Sequence, residues 1–116
     1  MTASRALAAF VAFEHFGFFV LESVLFTTPL GLKIFKLTPQ AAEANAVFAL
    51  NQGVYNLFLC AGLLWGLSAG STPLLAFFLA CVLVAGIVGG ASASRSIWLV
   101  QAAPAALGLA LLRAGF

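Results

Sequence analysis

The sequence predicts an all-α fold: a bundle of four transmembrane helices with both termini on the same side of the membrane. Three observations carry that prediction. Of 116 residues, 64% are hydrophobic and only 7% are charged, against about 25% charged residues in ordinary soluble domains. A water-soluble chain this short keeps much of its surface exposed and has nowhere to hide so much apolar area, so lipid is the expected solvent. Apolar stretches approach the roughly 20 residues that a helix needs to cross about 30 Å of hydrocarbon. Finally, turn-forming segments and one amphipathic connector separate these stretches. No linker or low-complexity run divides the chain, and residues 1–116 read as a single integral membrane domain. The predicted helices cover residues 6–26, 39–67, 73–88 and 97–112.

The first span follows Arg5, as the apolar core of a signal peptide does, but Glu14 and His15 interrupt it where such a core is unbroken. Thr27-Thr28-Pro29-Leu30-Gly31 ends it, because Pro and Gly together are strong helix breakers. From Leu30 to Leu37 apolar residues are interleaved with Lys33 and Lys36, a composition suited to the headgroup region. Thr38-Pro39 opens the second helix, with a hydroxyl to cap free N–H groups and Pro at the first helical position. That helix exceeds a minimal span, so its first turns, Gln40 to Asn45, are expected to project past the hydrocarbon. Gly62 and Gly66 form a small-xxx-small pair that lets another helix come close.

A polar turn from Ser68 to Pro73 leads into the third span, whose one ionisable group is Cys81. Gly89-Gly90 and the small residues Ala91 to Ser96 separate it from the fourth, which contains Pro104. Inside a bundle, neighbouring helices satisfy the carbonyl that such a proline frees. Both spans are short by this reading and need a thin local bilayer or flanking residues that reach the interface.

Arg5, Lys33, Lys36, Arg95 and Arg113 stand against Glu14, Glu22 and Glu43. These bases are scattered, without the clustering of a nucleic-acid footprint. Arg5 and Arg113 fall on the side of the termini, and Lys33, Lys36 and Arg95 on the other. The positive-inside rule therefore favours cytoplasmic loops by one base, too small a margin to fix orientation. Cys60 and Cys81 stand singly in apolar runs and match no paired spacing, which makes them packing residues.

The polar residues inside the spans carry the functional question. His15 and Glu22 are seven residues apart, two helical turns, and Glu14 lies about 100° from His15, so all three fall on one broad face. In the second helix Asn45, Gln52 and Asn56 share a stripe, with Asn51 and Tyr55 beside it. The two polar faces are expected to meet. Gln101 is the other strongly polar side chain deep in a span. A carboxylate in hydrocarbon costs about 3 kcal/mol on insertion scales, so such groups face the protein interior or a water-filled cavity.

The stretch Ala12-Phe13-Glu14-His15-Phe16 with Glu22, the corner Thr28-Pro29-Leu30-Gly31 and the run Asn51-Gln52-Gly53-Val54-Tyr55-Asn56 resemble the DUF1304 family of small bacterial membrane proteins. The similarity extends over nearly the whole chain and into Arg95-Ser96-Ile97-Trp98-Leu99-Val100-Gln101. It implies a four-helix, multi-pass protein of the bacterial inner membrane, and it lends no activity.

One functional class is an enzyme acting on a small lipophilic molecule that enters from the bilayer, an isomerase or hydrolase needing no cofactor. Glu14 and Glu22 serve as its acid/base pair, His15 as proton partner, and Asn51, Gln52, Tyr55, Asn56 and Gln101 as substrate-binding groups. Another is a proton-coupled transporter working as a dimer, since one copy is too small to enclose a path. A third is a structural protein in which these side chains only bind the helices together. A metal site is not expected, because His15 is the only histidine and adjacent Glu14 points about 100° away. Haem ligated axially by His15 is the alternative cofactor. Membrane lipids, a lipophilic small molecule and further copies of the chain are the expected partners.

Overall fold

Each Thr-Pro pair in this chain opens a helix. A proline in the first helical turn gives up an N–H that has no partner there in any case, and the preceding hydroxyl caps another. Thr38 accepts from the Ala41 N–H at 3.1 Å, and Ser71, just before Thr72-Pro73, accepts from Leu74 at 3.2 Å. Thr28 accepts in the same way from Gly31 at 3.4 Å. The segment around Pro29 therefore does not simply terminate the first span, as the sequence suggested. It starts a further helix, so the chain has five α-helices where four were expected.

The computed structural model describes residues 1–116. The fold is all-α, with the order α1 (Ala3–Phe19), a π-helical turn (Val20–Val24), α2 (Pro29–Phe35), α3 (Pro39–Ser68), α4 (Thr72–Ser92), a second π-helical turn (Trp98–Ala102) and α5 (Ala103–Ala114). Three helical stretches, Ala3–Val24, Pro39–Ser68 and Thr72–Ser92, are long and apolar enough to cross a membrane, and Trp98–Ala114 is a shorter apolar one. This is the makeup of a helical membrane protein.

Several bounds differ from the sequence reading for identifiable reasons. The third span continues to Ser92 because Gly89 and Gly90 are packing positions, not a stop: the Trp98 ring lies over Gly90. The Trp98 Nε1 also donates to the Ile87 carbonyl at 3.1 Å. Before Pro104 the helix widens into a π-helical turn, in which Ala103 donates to Trp98, five residues back. The register shift thus falls just ahead of the residue that has no N–H to give. The segment after α2 turns through Lys36, whose φ of 55° is left-handed, and Lys36 and Leu37 both donate to the Leu32 carbonyl.

The residues group into two compact units. One comprises Met1–Phe13 with Leu59–Phe116, the other Glu14–Phe58, so α1 and α3 each contribute to both. The first unit has a dry core in which Leu63, Leu75, Leu79 and Val82 interdigitate with Ala8, Val11, Ala12 and Ala105. Cys60 is part of this core, in agreement with its reading as a packing residue. Between helices in lipid there is little hydrophobic drive, and close packing supplies the attraction. Small residues set that closeness. A Cβ on Gly86 would lie 2.8 Å from the Ala102 nitrogen and 3.0 Å from its Cα, which are backbone atoms with little freedom to withdraw.

In the second unit the end of α1, its π-helical turn, α2 and the first twenty residues of α3 fold together. Phe26 and Phe35 meet at 5.2 Å between ring centroids, joining the start of the connecting segment to the end of α2. Gly31 is seated directly against the Leu25 and Phe26 carbonyls. Gly86→Val is expected to lower the thermal midpoint in detergent by the equivalent of about 2 kcal/mol through overpacking. Gly17→Ala, with nothing within 4 Å of the added Cβ, should leave the midpoint unchanged or raise it; circular dichroism melts compare the two.

Candidate functional site

All the acidic side chains of the chain, its one histidine and most of its amides lie in the Glu14–Phe58 unit. The π-helical turn Val20–Val24 presents Glu22 there. A π turn inserts one extra residue into the helical spacing, so side chains after it are re-aimed, and such turns recur at functional sites. Leu25 closes this one by donating to the Val20 carbonyl at 2.9 Å. The Asn56 Nδ2 on α3 then donates to the Glu22 Oε1 at 2.5 Å. One residue on, the Ser23 hydroxyl donates to the Leu50 carbonyl at 2.9 Å.

The approach that makes these two bonds possible depends on Gly53. A Cβ at that position would collide with the Ser23 hydroxyl and approach the Ser23 nitrogen to 3.0 Å. Ala42, Ala49 and Asn56 recur at seven-residue spacing with Gly53 between the last two, so the packed face of α3 in this unit is a row of small residues ending in one amide. Ala42 and Ala49 are buried on it.

His15 is fully buried, and its ring meets Phe18 edge-on at 5.1 Å and 72°. Glu14 is half-buried, and its Oε1 is enclosed without a hydrogen-bond partner. No set of three His, Cys, Asp or Glu side chains gathers to hold a metal ion.

The expected meeting of two polar stripes is corrected here to a single pair. Asn56 reaches Glu22, but Asn45 and Gln52 are exposed, and the Asn45 side chain donates back to the Ala41 carbonyl at 2.8 Å. Asn51 is exposed too and donates to Val47 at 2.8 Å within its own helix. Tyr55 is 54% exposed, with its ring 6.2 Å from that of Phe58. The cause lies in Gly53: the chain pressed against it is Ser23, and Gln52 is turned about 100° from Gly53 around the helix. Asn51 and Tyr55 lie further round still, on the outer side. Gln101 belongs to the other unit, where its Nε2 donates to the Val82 carbonyl at 3.4 Å.

Ser23 is the one participant that the sequence reading passed over. Its signal is its place next to Glu22 combined with the small-residue spacing Ala42, Ala49, Gly53 on the opposite helix.

The family model described as "Protein of unknown function (DUF1304)" matches residues 9–113, nearly the whole chain. The chain belongs to the DUF1304 family. No curated protein and no solved structure matches it. Membership in DUF1304 agrees with the resemblance carried by Glu14-His15, Glu22 and the Asn51–Asn56 run, and it leaves the activity to be inferred from the site.

The seating of Ser23 on Gly53 is testable by a double-mutant cycle. Gly53→Ala should destabilise by about 2 kcal/mol in the presence of Ser23, and by clearly less in a Ser23→Gly background, where the colliding hydroxyl is gone. Equal losses in the two backgrounds, read from unfolding in detergent, would show that the close approach does not set the stability.

Proposed function

We propose that the Glu14–Phe58 unit is an intramembrane acid/base site that binds and chemically converts a small lipophilic molecule, with Glu14 and Glu22 as the exchanging carboxyl groups. Trp98–Ala114, at 17 residues, is on this reading the fourth crossing, close to the lower limit for a span, which returns the C-terminus to the side of the N-terminus.

The observation that carries the proposal is the Glu14 Oε1, a buried carboxyl oxygen without a hydrogen-bond partner. Native interiors satisfy nearly all buried polar atoms, and an exception calls for a role. Glu22 supplies the contrast, because Asn56 fixes one of its oxygens and so orients the carboxyl plane. One acid held in place and one left with a free acceptor suit proton-neutral chemistry such as an isomerisation. One carboxyl gives a proton to the substrate while the other removes one, and no electrons, water or cofactor are consumed. His15, fully buried one residue from Glu14, serves as proton partner between turnovers. Desolvated acids and bases acting this way contribute factors of about 10² to 10⁴ each.

Proton-coupled transport by a dimer is the second reading, favoured by one observation. Asn51, Gln52 and Tyr55 are exposed on α3, where they offer polar groups to a path shared between two copies. A polar network with only a structural role is the third, favoured by the way Ser23 and Glu22 tie two helices together.

The readings separate by comparing lipid-soluble metabolites, by mass spectrometry, in membranes bearing wild-type protein, Glu14→Gln or Glu22→Gln. Catalysis predicts a substrate–product pair whose interconversion falls at least about 100-fold in either variant. If wild type and both variants give the same profile, catalysis fails. Dissipation of a pH gradient in proteoliposomes by a lipophilic cation, abolished by Glu14→Gln, would establish transport in its place.

A further inference from the structure

The other unit holds a second polar feature at the end where α1 and α4 begin and α5 finishes. The Ser4 N–H donates to the Phe116 carbonyl at 3.4 Å, joining the two chain ends there. Two clefts adjoin at this end and share Thr72 and Leu112 in their walls. The smaller, about 180 Å³, is lined by the hydroxyl residues Thr2 and Ser4 and by Arg5. The larger, about 430 Å³, is lined by Ala76, Leu109 and Arg113.

Each cleft has one guanidinium group in its wall, Arg5 in the smaller and Arg113 in the larger. Arg5 and Arg113 are two of only five basic side chains in the protein, and all three acidic side chains, Glu14, Glu22 and Glu43, fall in the other unit. The two guanidinium groups therefore give this end a positive side-chain charge. The larger cleft adds an apolar wall of Ala76, Leu109 and Leu112. A site with hydroxyls and Arg5 in one cleft, and an apolar trough bordered by Arg113 in the adjoining one, fits an anionic amphiphile. Free phosphate has no use for the trough, and a neutral lipid has none for the net charge. The position agrees, since ends of membrane-crossing helices lie at headgroup depth, where basic pockets between helices take anionic head groups.

We propose that these adjoining clefts bind one anionic phospholipid. Arg5 and Arg113 hold the phosphate with help from the Thr2, Ser4 and Thr72 hydroxyls, and one acyl chain lies along Ala76, Leu109 and Leu112. Arginine suits the role because its planar donor fork matches phosphate oxygens in pairs. This inference stands apart from the acid/base reading of the other unit.

The test is native mass spectrometry of the full chain from mixed micelles holding equal amounts of phosphatidylglycerol and phosphatidylcholine. Wild type is expected to retain phosphatidylglycerol about 30-fold over phosphatidylcholine, the order expected of two basic residues near a membrane surface. Arg5→Gln/Arg113→Gln should bring the ratio to about one, and Arg5→Lys/Arg113→Lys should keep a clear preference. Lys33→Gln/Lys36→Gln, which removes the same charge elsewhere, should leave the ratio unchanged. If the double glutamine variant loses helicity, each single one serves, with a drop of about fivefold expected. A ratio insensitive to the arginines, or equally sensitive to Lys33 and Lys36, overturns the proposal. So does displacement of the lipid by millimolar glycerol 3-phosphate or inorganic phosphate, which would mark a site for soluble phosphate.

Discussion

Away from water, a backbone N–H or carbonyl without a partner costs several kcal/mol, and every departure from regular helix in this protein is shaped by that cost. Caps at Thr28, Thr38 and Ser71 answer the first N–H groups of α2, α3 and α4. Just before Pro104, which has no donor, the chain widens its spacing and Ala103 bonds to the Trp98 carbonyl. The left-handed turn at Lys36 brings two successive N–H groups onto the Leu32 carbonyl.

Side chains obey the same accounting, and the two π-helical turns illustrate it. Each holds two residues that bond to a neighbouring helix: Glu22 meets an amide and Ser23 a backbone carbonyl of α3, while Trp98 and Gln101 each meet a carbonyl of α4. Small residues make these meetings possible, Gly53 opposite Ser23 in one unit and Gly86 opposite Ala102 in the other. Polarity and close approach therefore go together. A bulky residue at either glycine would separate the helices before the polar groups could bond. The exposed amides of α3 have no such neighbour, and two of them fold back on their own helix, a retreat open to asparagine because its side chain is short.

The helical class, the membrane-crossing lengths and the family are legible in composition and in runs of apolar residues. Thr38-Pro39 and Thr72-Pro73 reveal their helices directly. Thr28-Pro29 carries the same information, but Gly31 two residues later masks it as a break, because a sequence does not say that this glycine is needed to sit against the Leu25 and Phe26 carbonyls. The Glu22–Asn56 pair follows from helical phase. Gln52 shares that phase closely yet stays outside, since the packed face is chosen by the small residues Ala49 and Gly53, whose pull on a neighbouring helix is weaker in a sequence pattern than an amide's. Neither π-helical turn is announced by its residues: the first has no proline, and the second depends on a proline two positions past its end.

The length of α3 has a consequence of its own. Thirty residues at 1.5 Å each reach about 45 Å, half as much again as the hydrocarbon they cross. The surplus must be taken up by inclination of the helix or by emergence of its first turns, and the balance shifts with bilayer thickness. With Glu43 near its start and Trp65 near its finish, α3 has a charged group and an interfacial ring to register that balance. A thicker or thinner membrane would change how deeply its polar middle section is immersed.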